Sequence, residues 1–295
     1  MSWTSPSRAG RTQQTVAAIG QLGQIASAIP FAVALAYFGW TNAFEIAAGV
    51  VVVGAIGVAL LVRNQPADIT APHESMKLRT AMQLLVENVR FSGTRMSFWI
   101  HFTLQSSGSV FALLWGVPFL VAGEGQSRQF ASSLLTLQMV LALLWGLLLG
   151  WIAEHRPQWR GRVILGIASS IIGIWIVFAA LPTRAPEWLL VILVMIISLG
   201  GSGSMLAMDY SRGFIPKERL GSANGFINVG GFLATFVMMW LAGLILDAVK
   251  HASGAASAFT FEGFRLALTV QIVVVAFGLG MYLFERRRTA RTHRL

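Results

Sequence analysis

The sequence predicts an all-α, polytopic membrane protein, and three observations support this fold class. Of the 295 residues, 55% are hydrophobic and only 12% are charged, which is too few charges to cover a water-soluble domain of this size. The apolar residues come in blocks of about 20, the length of helix that crosses a hydrocarbon core of about 30 Å. Runs such as residues 49–53 do not alternate apolar with polar residues, which argues against a transmembrane β-barrel.

The apolar blocks predict about eight transmembrane helices. They cover residues 14–38, 41–62, 97–121, 129–153, 163–181, 187–208, 222–246 and 264–284. The first block is too long and too polar for a cleaved signal sequence, because Gln21 and Gln24 interrupt it, so we expect it to remain as a spanning helix. The chain has no cysteine, which excludes a disulfide framework and a Cys-based metal site.

The basic residues predict the orientation in the membrane. With a cytoplasmic N-terminus, 18 of the 22 Lys and Arg residues fall on the inner side, and the outer loops hold only Arg128, Arg184, Lys250 and Arg265. This asymmetry follows the positive-inside rule. It places both termini in the cytoplasm and indicates the inner or plasma membrane. The net charge of +10 is therefore explained by the membrane topology and does not indicate nucleic-acid binding.

One long inner segment divides the chain. We expect a two-helix part at residues 1–63, a cytoplasmic linker at 64–93 and a six-helix part at 94–295. Within the linker, Leu78, Met82, Leu85 and Val89 repeat at helical spacing. This spacing predicts an amphipathic helix on the inner membrane face.

Two inner loops carry charged motifs. The first loop, residues 150–162, contains Gly150, Glu154, Arg156 and Arg160. It resembles the Gly-x-x-x-acidic-basic-x-Gly-x-basic-basic loop of the major facilitator superfamily, although glutamate replaces the commoner aspartate and the second glycine is displaced.

The second inner loop combines charges with a series of glycines. Its members are Asp209, Arg212, Pro216, Glu218, Arg219, Gly221, Gly225, Gly230 and Gly231. Proline ends a helix, charges keep the turn in water, and small residues let the next helix pack closely. The segment is similar to the inner turn between the tenth and eleventh helices of the same superfamily. A generic membrane hairpin would explain the charges but not the glycines.

The resemblance extends over nearly the whole chain. Pro6, Arg8 and Gly20 repeat the spacing of Pro216, Glu218 and Gly230. Such an echo is expected of transporters built from repeated units. The resemblance therefore implies helices five to twelve of the family plan, a partial fold of two plus six helices with the first four absent. It also implies transport of a small solute by alternating access, either as secondary transport or as facilitated diffusion.

Polar residues in the third and sixth blocks are the candidate solute-binding residues. His101, Gln105, Ser109 and Trp115 follow the cavity-facing side of the helix that corresponds to the seventh of the family. Ser202 and Ser204 lie in the block that corresponds to the tenth, beside glycines that permit a bend or a local unwinding. Close helix packing is an alternative explanation for both clusters.

The sequence predicts no enzyme, metal or cofactor. It lacks the His-Glu-x-x-His, Gly-x-Ser-x-Gly and Gly-x-x-x-x-Gly-Lys motifs. His101 is the only titratable group expected at depth, where it acts as a proton carrier or as a structural residue. The expected partners are a small solute, lipid and a chain or oligomer that supplies the missing helices. The rival hypothesis is a truncated membrane protein that packs with a partner and does not transport.

Overall fold

The structure, a computed structural model, describes residues 9–62, 78–216, 219–254 and 256–292. All regular elements in these ranges are helices, so the predicted all-α fold class is confirmed. The chain divides into two compact units, Met1–Ser75 and Met76–Leu295.

The described residues contain seven helices that are long and apolar enough to cross a membrane, one fewer than the sequence predicts. The difference lies in the first block. The backbone of residues 14–38 is helical within α1, Ala9–Leu61, but most side chains before Val33 lie outside the described part. The candidate span there is therefore Val33–Leu61, and a separate first span stays a prediction.

Within the first unit, α1 breaks at Gly39. This residue has φ 74° and ψ 179°, a conformation that favours glycine and cannot continue a helix. The rings of Phe31 and Phe44 lie 5.2 Å apart across the break, whereas a straight helix would separate these residues by about 20 Å. The chain therefore folds back at Gly39, between the first two predicted blocks.

The second unit contains a short helix followed by six candidate spans. The short helix is α2, Leu78–Arg90. The spans are α3 Ser92–Gly123, α4 Arg128–His155, α5 Pro157–Ala180, α6 Glu187–Ser211, α7 Leu220–Ser253 and α8 Phe261–Ala290. They agree with predicted blocks three to eight. The predicted amphipathic helix is present, with Leu85 and Val89 half-buried but Met82 exposed.

Helix α3 is the centre of the second unit. It packs against α6, α7 and α8, and half of its most apolar stretch is buried. Near its C-terminal end the ring of Phe119 contacts the rings of Trp175 on α5 and Phe264 on α8, with centroids 6.2 and 6.1 Å away. Here α3 widens into π-helical turns on both sides of Pro118, which lacks the N–H of a regular helical hydrogen bond.

Helix α4 shows how the unit is adapted to lipid. Only 11% of its most apolar stretch is buried, and its outward side is formed by Val140, Leu144, Leu147, Leu148 and Trp151. A patch of this kind would be a liability in water. In a bilayer it costs little, because lipid tails are as apolar as these side chains.

Candidate functional site

His101 is a buried polar junction between three helices. Its imidazole is fully buried on α3. Nδ1 lies 3.2 Å from the carbonyl oxygen of Ser204 on α6, and Nε2 lies 3.1 Å from Oδ1 of Asn228 on α7. One side chain therefore connects the three helices at a depth where unpaired polar groups are costly.

Gln105 lies one helical turn beyond His101, and α7 approaches both residues through a glycine. A Cβ atom on Gly231 would lie 2.8 Å from Cδ2 of His101 and 2.9 Å from Oε1 of Gln105. The neighbouring Gly230 leaves equally little room beside the carbonyl oxygen of Phe98. The close approach predicted from the glycine series is confirmed at these two positions.

The same prediction is wrong at the start of the series. Gly221 and Gly225 are exposed, and among the described residues a Cβ atom on either would meet no side chain or neighbouring helix within 4 Å. The reason is the rotation of α7, which turns these two glycines away from α3 and brings Gly230 and Gly231 towards it.

Asn228 and Gln105 are the accessible members of the cluster. Asn228 is exposed although its carboxamide contacts a fully buried histidine, and Gln105 is half-buried. Each carboxamide offers a donor and an acceptor. The edge of the α3–α7 contact therefore presents amide groups to a neighbouring molecule.

The two candidate serines of α6 are engaged with the backbone. The hydroxyl of Ser202 donates to the carbonyl oxygen of Ala142 on α4 at 2.6 Å, and that of Ser204 donates to Gly201 at 2.7 Å. Both residues are buried. The Ser202 hydroxyl thus ties α6 to α4, whereas the Ser204 hydroxyl bonds within α6 itself.

The glycine-rich segment of α6 both packs and bends. A Cβ atom on Gly200 would lie 2.8 Å from the carbonyl oxygen of Leu104, so α6 and α3 touch closely there. A few residues further on, the N–H of Ala207 bonds to the carbonyl of Ser204, a tightened turn in place of a regular helical one. His101 bonds to this same carbonyl.

The C-terminal part of the predicted α3 face belongs mainly to helix packing. Trp115 donates from Nε1 to the carbonyl oxygen of Met239 at 3.1 Å, and Gln138 donates to the carbonyl oxygen of Gly108 at 3.0 Å. Ser109 is half-buried. The structure thus joins His101 to Asn228, places Gln105 beside Gly231 of the same helix, and leaves Trp115 in a separate contact.

Each of the two charged loops holds a polar contact of its own. In the second loop the carboxylate of Asp209 lies 3.2 Å from the guanidinium of Arg212. In the first loop Arg160 donates to the carbonyl oxygen of Ala153 at 2.8 Å. The end of α4 and the start of α5 are therefore joined by a hydrogen bond, and the end of α6 is closed by its own ion pair.

The other described residues of the first motif are partly or fully exposed. Gly150 is half-buried, Glu154 is exposed, and Arg156 lies 5.9 Å from the ring of Trp159. Glu218 lies outside the described residues.

Arg219 forms an ion pair that the sequence did not indicate. Its guanidinium lies 2.8 Å from Oε2 of Glu87 and 5.7 Å from the ring of Phe91. This contact attaches α2 to the start of α7. The sequence feature that could have suggested this ion pair is the acidic residue Glu87 within the predicted amphipathic helix.

The described residues contain no group of three or more His, Cys, Asp or Glu side chains that could hold a metal ion. What they contain is a bundle of apolar helices with an imidazole and two amides at depth and with ion pairs at one end. These features define a polytopic helical membrane protein with a polar intramembrane site.

Comparison with known families agrees with this description. Residues 1–239 match the model of the Major Facilitator Superfamily. The chain belongs to this superfamily of membrane transporters. No curated protein and no solved structure matches it.

Proposed function

We propose that this chain transports a small polar solute by alternating access, and that His101, Gln105 and Asn228 form its solute contact. The observation that carries the proposal is the exposed carboxamide of Asn228, held by the fully buried imidazole of His101. Counted along the helices, the two residues lie about 12–14 Å from the inner ends of α7 and α3, near the middle of a bilayer core. Polar groups at that depth commonly mark a substrate pathway.

The chemistry of the cluster limits the class of solute. Amides and an imidazole supply hydrogen bonds, and no carboxylate contacts them among the described residues. A strongly cationic solute would therefore find no counter-charge. The cluster suits a neutral metabolite or an organic anion.

The ion pairs at the basic end support a role in the transport cycle. Asp209 pairs with Arg212, and Arg219 pairs with Glu87. We place this end of the bundle in the cytoplasm of a cell whose plasma membrane holds the protein, because basic residues concentrate there. In this arrangement the pairs hold the inner ends of the helices together, and opening to the cytoplasm requires them to separate.

One feature favours the second candidate function, a non-transporting protein that packs with a partner chain. Gly221 and Gly225 form a small-residue face on α7 that no described residue of another helix covers within 4 Å. Faces with this spacing let a second membrane helix approach closely. A partner helix seated there would also cover the neighbouring Asn228.

The experiment that separates the two functions compares host cells with and without the gene. The proposal predicts that deletion changes the uptake of at least one small solute, measured by mass spectrometry of the medium and of the cell contents, and that the wild-type gene restores it. Deletion and restoration that leave every solute unchanged, while a partner protein co-purifies with the chain, would instead support the packing function.

A further inference from the structure

The contact with Ser204 fixes the proton of the His101 ring. A backbone carbonyl oxygen can only accept a hydrogen bond, so Nδ1, which lies 3.2 Å from it, carries a hydrogen. Neutral His101 is therefore the Nδ1–H tautomer, and its Nε2 is an acceptor. Protonation adds the second hydrogen at Nε2.

The contact with Asn228 then depends on the charge of the ring. Nε2 lies 3.1 Å from the carboxamide oxygen, a contact that requires an Nε2–H donor and hence an imidazolium. A neutral ring offers a lone pair at Nε2 and needs the amide NH₂ in that position. A half-turn of the carboxamide exchanges its two ends at little steric cost, because oxygen and NH₂ are nearly equal in size.

We propose that protonation of His101 controls which end of the Asn228 carboxamide faces the solute, and that the protonated site binds an anionic solute. With the ring charged, the oxygen is held inward and the NH₂ group points out, so the site offers a donor beside a positive charge. With the ring neutral, the oxygen points out and the site favours hydroxyl or amide donors. The proposal rests on the function proposed above, in which Asn228 contacts the solute.

Other charged groups lie away from the His101 ring, so this protonation switch, the coupling of the His101 charge to the orientation of the Asn228 carboxamide, has no charged neighbour in direct contact among the described residues. The ring contacts α6 at Ser204 and α7 at Asn228 and Gly231. The described titratable groups on these two helices lie towards the helix ends: Glu187, Asp209, Tyr210, Arg212, Arg219, Asp247, Lys250 and His251. Asp209, the one nearest to Ser204 along the chain, is paired with Arg212. On α3 itself the charged residue is Arg95, which is paired with Glu285.

Anion binding and protonation of His101 are thermodynamically linked, so the size of the effect can be stated. If an anion binds the protonated site ten times more tightly than the neutral one, saturating anion raises the midpoint pH of His101 by about one unit. A neutral polyol with no such preference for the charged form leaves the midpoint unchanged or lowers it.

The test is ¹⁵N NMR of the full chain in lipid nanodiscs, with labelled histidine and asparagine side chains. His101→Gln assigns the His101 signals among the five histidines. We expect Nδ1 to stay protonated throughout the titration, Nε2 to titrate, and the NH₂ signal of Asn228 to move in step with Nε2. In Asn228→Leu the ring still titrates, but no amide signal follows it. His155→Gln, a change at an exposed histidine, should leave the coupled titration intact.

Two results would contradict the proposed switch. One is a neutral His101 ring that is protonated at Nε2, and the other is an Asn228 NH₂ signal that does not change when His101 is protonated. Lactate and inorganic phosphate are the anion probes, with mannitol as the neutral one. We expect either anion to raise the midpoint and mannitol not to do so. No shift with both anions, or an equal shift with mannitol, would overturn the anion assignment. Because the NMR titration needs no transport, a coupled titration in a chain that moves no solute would count against the proposed function alone.

Discussion

Nε of Arg95 lies 2.9 Å from Oε2 of Glu285, although 190 positions separate the two residues. The same guanidinium donates from Nη1 to the carbonyl oxygens of Val89 and Arg90 at the end of α2. Glu285 is 5% exposed, and Arg95 is the cation that compensates its buried carboxylate. A single side chain thus joins α2, the start of α3 and the end of α8.

The first prediction concerns this junction. Arg95→Gln should lower the free energy of unfolding by about 1–3 kcal/mol, because it removes charge-assisted hydrogen bonds and leaves a buried carboxylate unpaired. Thermal unfolding in detergent measures the change. Arg287→Gln, at an exposed position of the same end, is the matched control and should change little. Equal stability of the Arg95 and Arg287 variants would show that the ion pair does not hold these helices.

The second prediction concerns the approach of α7 to α3. Gly231→Ala should destabilise the protein by roughly 1–3 kcal/mol, because the new methyl group would overlap His101 and Gln105. Gly225→Ala, on the open side of the same helix, should be neutral or slightly stabilising, since alanine favours helix formation. The melting temperatures of the two variants measure the contrast. A Gly231 variant as stable as the Gly225 variant would contradict the packing described here.

The third prediction is a dependence of stability on pH from Glu124, which follows the C-terminal end of α3. Burial raises the pKa of its carboxyl above the ordinary value of 4.5, although the N–H of Ala185, 2.6 Å away, and the charge of Arg184 act in the opposite direction. The folded protein therefore keeps a proton that the unfolded chain releases between the two pKa values. The free energy of unfolding should accordingly fall as pH rises above 4.5 through that window.

Glu124→Gln removes this dependence while keeping an oxygen that can accept from the N–H of Ala185. The slope of melting temperature against pH should become flatter in this variant. Glu262→Gln, at an exposed acid near the start of α8, should keep the wild-type slope. An unchanged slope in the Glu124 variant would assign the dependence to another group.

The sequence was sufficient to predict the six spans of the second unit and the shared helix face of His101 and Gln105. Apolar block length identifies a membrane helix, and the spacing of His101 and Gln105 places them on one face of α3. The pairing of His101 with Asn228 was not predictable, because it joins residues 127 positions apart and depends on the rotation of α7 about its axis. Composition also could not show that the Ser202 hydroxyl is used by the backbone of α4.

The fourth prediction is the orientation in the membrane. The chain has no cysteine, so single cysteines can be introduced without background labelling. Cysteines at the exposed positions Thr183 and Ser257 should react with an impermeant thiol reagent in intact cells. Cysteines at Gln158 and Gly213, at the opposite ends of the spans, should react only after permeabilisation. The reverse pattern would invert the proposed topology.

The fifth prediction addresses the central claim, that the amides beside His101 contact the transported solute. Once the gene-deletion comparison has identified a solute, its initial rate of uptake is measured at matched surface expression for Asn228→Ala, Gln105→Ala and Ser170→Ala. Ser170 is exposed on α5, away from the cluster, and its hydroxyl bonds to the carbonyl of Gly166. Each amide variant should lose about ten-fold in uptake, the equivalent of one hydrogen bond of roughly 1.4 kcal/mol, while the serine variant keeps the wild-type rate. Wild-type uptake by both amide variants would contradict the claim and leave the cluster with a structural role alone.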